Sequence, residues 1–201
     1  MQLTYKEIAT ILGAPIENVE KYWSLFLEEL NVRGKNKLSF QIAILATIAV
    51  ESGKFAPVRE AYWLSKKACY NWCEKEYGIN GKNPARARRM GNTEPGDGYK
   101  FRGGGFIQLT WRHNYKIYGD ALGVPLETNP EMITDPQTSV RVMVKYMLDH
   151  GVDVWADRAF RTDDNYSEEF CARKIRQLVN GGYRHYDKFY AAWVKLRKAA
   201  Q

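Results

Sequence analysis

Apolar residues recur along most of the chain at three- and four-residue spacings, the period of an amphipathic helix. Thr4 and Glu7 stand three apart around Tyr5-Lys6, the pattern of a capping box, and predict a short helix ending near Gly13. Pro15 suits a first helical turn, where its missing amide proton is not needed, so a second helix is expected to run to about Asn31. Arg33-Gly34-Lys35-Asn36-Lys37 reads as a loop. Phe40 to Val50 is apolar nearly all round, which predicts a buried central helix capped by Ser39 and stopped at Ser52-Gly53. Further helices are expected over about Ser65–Tyr77, Pro84–Met90 and Thr110–Leu122, the last closed by Gly123. Another starts at Asp135-Pro136, with Val140, Met143, Val144 and Met147 on one face. A final pair, about Ser167–Asn180 and Tyr186–Ala200, is split by the helix stop Asn180-Gly181-Gly182.

One segment breaks the pattern. Gly91 to Gly105 holds six glycines and one proline in fifteen residues, too many for a regular element, and is expected to be a shaped loop with short extended pieces around Tyr99–Gln108. The chain therefore reads as mainly α. With 201 residues it is expected to be one catalytic domain over 1–201, its first 38 residues a helical extension packed on the rest. No apolar run approaches the roughly 18 residues of a membrane span.

Composition changes the picture in three ways. Hydrophobic residues make up 45% and charged residues 26%, an ordinary globular balance. Thirty Lys plus Arg against 23 Asp plus Glu give a net charge of +7, which favours a polyanionic partner such as nucleic acid, anionic membrane or cell wall. Three cysteines fit reduced thiols rather than a disulfide framework; Cys69 and Cys73 share a helix face and are expected to be buried. The start of the chain lacks the basic-then-apolar layout of a secretory signal, which implies synthesis in the cytoplasm.

Most chemical motifs fail. Gly96-Asp97-Gly98 begins a dinucleotide fingerprint without completing it, and no phosphate loop or nucleophile elbow occurs. His113, His150 and His185 are scattered, so no metal and no cofactor are expected. Arg102 to Leu109 partly fits an RNA-recognition signature but lacks two of its aromatics and a sheet to carry them; nucleic acid is not expected as a partner. What remains is a pair of carboxyl groups. Glu51 ends the apolar helix, where dry surroundings and the negative helix pole both favour a neutral carboxyl, the form a general acid needs. Glu60 lies in a polar stretch beside Arg59, which is expected to keep it charged and able to act as a base. Contrasting carboxyl groups are what glycoside hydrolysis uses. The glycine-rich loop adds backbone that a ligand can approach and the polar groups of Tyr99, Gln108 and Thr110, with Tyr62 a further substrate-binding candidate.

Glu51-Ser52, Gly96-Asp97-Gly98-Tyr99-Lys100-Phe101-Arg102-Gly103, Gly105-Phe106-Ile107-Gln108-Leu109-Thr110, Asn114-Tyr115 and Asn180-Gly181-Gly182 together resemble the family-19 chitinases, most closely their compact bacteriophage endolysin relatives. The likeness runs from about Phe40 to Tyr190. It implies a lysozyme-like, two-lobed helical fold with a central cleft. It also implies hydrolysis of β-1,4 bonds between N-acetylated amino sugars with inversion. Glu51 then matches the general acid, Glu60 the base, and Thr110 a hydroxyl that helps hold the attacking water. Gln108, Asn114, Tyr115 and Asn180 fall at sugar-contacting or site-supporting positions. Inversion predicts carboxyl groups about 6.5–9.5 Å apart.

The resemblance has departures, each with an expectation. Gly104 stands where the family has a second loop Arg, so an ion pair near the base should be missing or replaced. Val50 stands where His is common, which predicts drier surroundings for Glu51. Either Arg184 or Lys188 should take the place of an Arg downstream of Asn180. Compact size and basic charge favour bacterial peptidoglycan over chitin, with Arg86, Arg88 and Arg89 able to attract an anionic surface. A lysin of this kind, expected as a monomer without stable membrane insertion, would reach the wall after a separate protein permeabilises the membrane. A non-catalytic wall-binding module is the reading from another class.

Overall fold

The computed structural model describes residues 3–161 and 165–201. Among them are eleven α-helices and one two-stranded antiparallel pairing, the mainly α architecture that the periodicity predicts. The chain forms two compact units, Met1–Ala56 with Met143–Gln201, and Pro57–Val142.

The first unit is built around α3 (Leu38–Glu51), whose residues from Ser39 to Ala49 are all buried. α1 (Tyr5–Leu12), α9 (Val152–Ala159), α10 (Glu168–Asn180) and α11 (Tyr186–Ala199) pack against it, and α2 (Ile16–Val32) packs on α1. An all-round apolar helix has no solvent face, so it is stable only when enclosed in this way. Thr4 and Glu7 form the expected capping box on α1. Ser39 does not cap α3. The helix begins two residues earlier than expected, at Leu38 after Lys37, and the Ser39 hydroxyl instead donates to Asp157 Oδ1 at 2.5 Å. α9 escaped the sequence reading because Gly151 ahead of it looks like a stop. In the structure Gly151 adopts φ 69° as the residue before a new helix, with Val152, Ala156 and Ala159 buried.

The second unit carries α4 (Lys66–Tyr77), α5 (Pro84–Arg89), α6 (Asp97–Lys100) and α7 (Arg112–Leu122), with a 3-10 turn over Pro130–Thr134. α8 (Pro136–Asp149) begins here, and its buried Val140, Met143, Val144 and Met147 bear out the predicted stripe. Strands β1 (Val58–Arg59) and β2 (Gly104–Gly105) pair Val58 with Gly105 and Arg59 with Gly104. Tyr99 lies in the single turn of α6 rather than in an extended piece. That turn has no side-chain cap of its own; Glu74 of α4 supplies one, accepting the Gly96 and Tyr99 amides at 3.0 and 2.7 Å. α7 starts at Arg112, two residues later than expected, because Trp111 at φ 82° and ψ 138° is far from helical geometry.

Asp97 ties the glycine-rich loop to α7. Its buried carboxylate accepts the Thr93 and Glu94 amides at 2.8 and 3.0 Å and the Arg112 guanidinium at 2.6 Å. Burial alone would raise this carboxyl, but those donors outweigh it and hold it below the ordinary Asp range. A depressed folded value stabilises the fold above the unfolded value of about 3.9, and the contribution is lost as pH falls through the folded value. Asp97→Asn is therefore expected to destabilise by about 1.5–3 kcal/mol at neutral pH. In urea unfolding the gap from the parent protein should close as the pH is lowered below that range; a gap that does not depend on pH would refute the assignment.

Candidate active site

Glu60 follows β1 in the second unit, and the loop Gly103-Gly104-Gly105 is wrapped around it. The Glu60 amide donates to Gly103 O at 2.8 Å, and the Gly103 amide donates back to Glu60 Oε2 at 3.1 Å. The Tyr77 hydroxyl donates to Oε1 at 2.8 Å. Burial, and then the charge of Glu60, push the Tyr77 phenol well above its usual value, so Tyr77 serves only as a donor. Beneath it lie Ala61, Cys69 and Cys73, with Tyr77 and Tyr99 packed against them. The thiols are buried as expected, and burial followed by the neighbouring Cys69 pushes Cys73 up to about 12.

Arg59 does not face Glu60. Successive residues of a strand point to opposite sides, and Arg59 turns inward to the Tyr115 hydroxyl, to Lys100 O at 2.7 Å and to Glu131 at 3.3 Å. The expectation that it keeps Glu60 charged is corrected: a phenol and a backbone amide hold that carboxylate. The same turn explains Gly104. A Cβ there would meet Ile133 Cγ2 at 2.6 Å, Tyr115 Oη at 2.8 Å and Arg59 Nη1 at 2.9 Å, so Arg59 fills space that a side chain at 104 would need.

Other candidates sort by burial. Tyr115 is completely buried, donates to Arg102 O at 2.9 Å and has no surface to offer a sugar; it supports the loop. Gln108, at φ 52°, donates from Nε2 to Val58 O and Gly105 O at 3.0 and 2.9 Å. Thr110 is part-exposed, donates to Gln108 O at 3.0 Å, and accepts at its carbonyl from Asn114 Nδ2 at 2.8 Å. Thr110 thus sits between two residues of positive φ, Gln108 and Trp111, with Ala61 at φ 58° directly after Glu60. Each such residue costs on the order of 1–3 kcal/mol and persists only where its surroundings enforce it, and such residues gather at functional sites. Tyr62 is exposed, its ring 5.4 Å from Trp63.

In the first unit, Glu51 is the last residue of α3. Its surroundings are not wholly apolar as Val50 suggested. Arg176 of α10, only 1% exposed, donates from Nη1 to Glu51 Oε1 at 2.6 Å. Arg176 Nε donates in turn to the carbonyl of Arg184 at 2.9 Å. Thus Arg184 takes part through its backbone and neither it nor Lys188 supplies the cation. Tyr146 of α8 stands close by, its phenol raised by burial and then by the charge of Glu51, and donates to Val179 O at 3.2 Å. Asn180 is exposed one turn beyond Arg176 on the same face of α10.

Sequence reasoning missed Arg176 and Tyr77. A signal for the first existed: Cys171, Ala172, Ile175, Arg176 and Val179 form the buried stripe of α10, and a charge on a buried stripe demands a partner. Among the described residues no group of His, Cys, Asp and Glu could hold a metal ion, and no helix is long and apolar enough to cross a membrane.

No family model matches the chain. Chitinase 11 of rice (Oryza sativa subsp. japonica) is 39% identical over 49 residues, 24% of this chain and 19% of that protein. The chain thus matches under a fifth of the length of this curated relative. Chitinase C from Streptomyces griseus superposes with a TM-score of 0.61 at 17% identity, over 98% of this chain and 75% of that one. A bacterial family 19 chitinase gives 0.55 at 16% identity, over 96% and 94%. The chain has the mainly α, lysozyme-like fold of the family 19 chitinases.

Proposed function

We propose that this chain is a glycoside hydrolase, an endolysin that cleaves β-1,4 bonds of peptidoglycan by an inverting acid–base mechanism. The observation that carries the reading is the setting of Glu60: a half-buried carboxyl group whose two oxygens each accept one hydrogen bond, from the Tyr77 hydroxyl and the Gly103 amide. A carboxylate has about four lone-pair positions, so Tyr77 and the Gly103 amide leave room for water on the same oxygens. Glu60 takes a proton from that water, and Thr110 helps orient it. Glu51, its Oε1 held by Arg176, acts as the general acid and gives a proton from Oε2 to the leaving glycosidic oxygen. Water adds to the anomeric carbon as the C–O bond breaks, leaving Glu60 protonated and Glu51 ionised. The two then exchange protons with solvent.

The net charge of +7 supports an anionic wall polymer. Chitin is the second reading, favoured by the chitinases among the relatives. Digestion of peptidoglycan sacculi and chitin oligomers side by side, with mass spectrometry of the products, tests both. Reducing-end sugars are expected, and Glu60→Gln should abolish their release. A 1,6-anhydro end would mean a lytic transglycosylase instead, and binding without turnover would mean a wall-binding module.

A further inference from the structure

Apart from the groups assigned to acid–base chemistry, the second unit carries two cavities that share one wall. One, of about 390 Å³, is lined by Lys66, Lys67, Tyr70 and Tyr99. The other, of about 560 Å³, has Tyr70, Lys75, Asn80, Lys82 and Pro95 around it. Both volumes fall in the range of small-ligand sites, roughly 300–1,000 Å³. Tyr70 is the dividing wall, 41% exposed. Its ring lies 5.6 Å from that of Tyr99, and its hydroxyl reaches toward Gly96. Arg102 covers Tyr99 from 4.1 Å.

Charge around these cavities is one-sided. Lys66, Lys67 and Lys75 make no ion pair among the described residues, while Lys82 meets Glu76 at 2.5 Å. Glu74, the carboxylate in the lining, has both oxygens engaged by the Gly96 and Tyr99 amides. Lys66 and Lys67 also occupy the first turn of α4, which holds no acidic residue. Cations are disfavoured at that positive helix pole, and a bound anion would relieve the repulsion. An aromatic wall suits the apolar face of a sugar ring, and ammonium groups on both sides suit carboxylates hanging from it.

We propose that the double cavity around Tyr70 is an accessory groove for peptide-substituted amino-sugar strands, with Tyr70 against the glycan and Lys66, Lys67 and Lys75 on the carboxylates of the stem peptide. The inference rests on the hydrolase reading above and narrows its substrate class to anionic glycan.

The test measures binding by calorimetry at low ionic strength, using the full chain carrying Glu51→Gln. The probes are a peptide-bearing N-acetylglucosamine–N-acetylmuramic acid tetrasaccharide, the same strand stripped of peptide, and chitotetraose. The peptide-bearing strand should bind about tenfold or more tightly than the stripped one, a gap of about 1.4 kcal/mol. Lys66→Glu with Lys67→Glu should erase that preference, as should added salt, while binding of the two other probes is unchanged. Lys75→Glu is an independent second variant, and thermal melting checks that each variant is folded. Equal affinity for stripped and peptide-bearing strands, or a preference that survives both charge reversals, overturns the proposal. Hydrolysis of the stripped strand by the unaltered chain is read in parallel; its absence counts against the hydrolase while leaving the binding comparison intact.

Discussion

Glu51→Gln is expected to lower kcat on the proposed peptidoglycan substrate by about 10²–10⁴-fold, the usual worth of one general acid, with a smaller loss of stability than an alanine at the same position. The choice of Gln matters. Arg176 is buried and directs Nη1 at Glu51 Oε1, and a Gln carbonyl can still accept that hydrogen bond. Glu51→Ala would leave the guanidinium buried with neither a counter-charge nor an acceptor, a loss on the order of 3–5 kcal/mol. The pair of variants therefore separates two roles of one side chain. Turbidity loss in permeabilised cells reads the chemistry, and urea unfolding reads the fold. Wild-type lysis by Glu51→Gln would remove Glu51 from the mechanism. An alanine variant as stable as the parent would remove the ion pair from the stability argument.

The second large effect concerns two adjacent glycines with different duties. A Cβ at position 103 would lie 2.9 Å from Gln108 Oε1 and 3.0 Å from Glu60 Oε2. Both are far ends of flexible side chains, and Glu60 Cβ at 3.2 Å must give by only a few tenths of an ångström, so Gly103→Ala should fold at a modest cost. The carboxylate it displaces is the proposed base, and a misplacement of about 1 Å can cost on the order of 10²-fold in rate. At position 104 the obstructing atoms belong to Ile133, Tyr115 and Arg59, all packed inside the unit. Gly104→Ala should then cost about 1–3 kcal/mol or more by overpacking. Measuring kcat and unfolding free energy for both should show the rate falling first at 103 and the stability first at 104. The reverse order would mean that the loop is not a cradle for Glu60.

What the sequence revealed depended on the distance between interacting residues. The capping box of α1 joins residues three apart, and the enclosure of α3 is written in eleven consecutive buried residues from Ser39 to Ala49. Both are local patterns and were legible. The partners of the two carboxyl groups are not local: Arg176 reaches Glu51 across 125 residues, and Gly103 reaches Glu60 across 43. Arg59 was misassigned because adjacency in sequence says nothing about direction on a strand. Tyr77, 17 residues from Glu60, belongs to the Cys69–Cys73 face of α4. That face could be drawn from the sequence, but its neighbour across the unit could not.

The thiols beneath Glu60 carry a consequence for how the protein reacts. Only a thiolate attacks disulfides or electrophiles. Cys73, pushed up to about 12, is almost wholly protonated at neutral pH; Cys69 is buried beside it, and Cys171 of α10 is buried in the first unit. The folded chain is therefore expected to react slowly with thiol reagents at neutral pH.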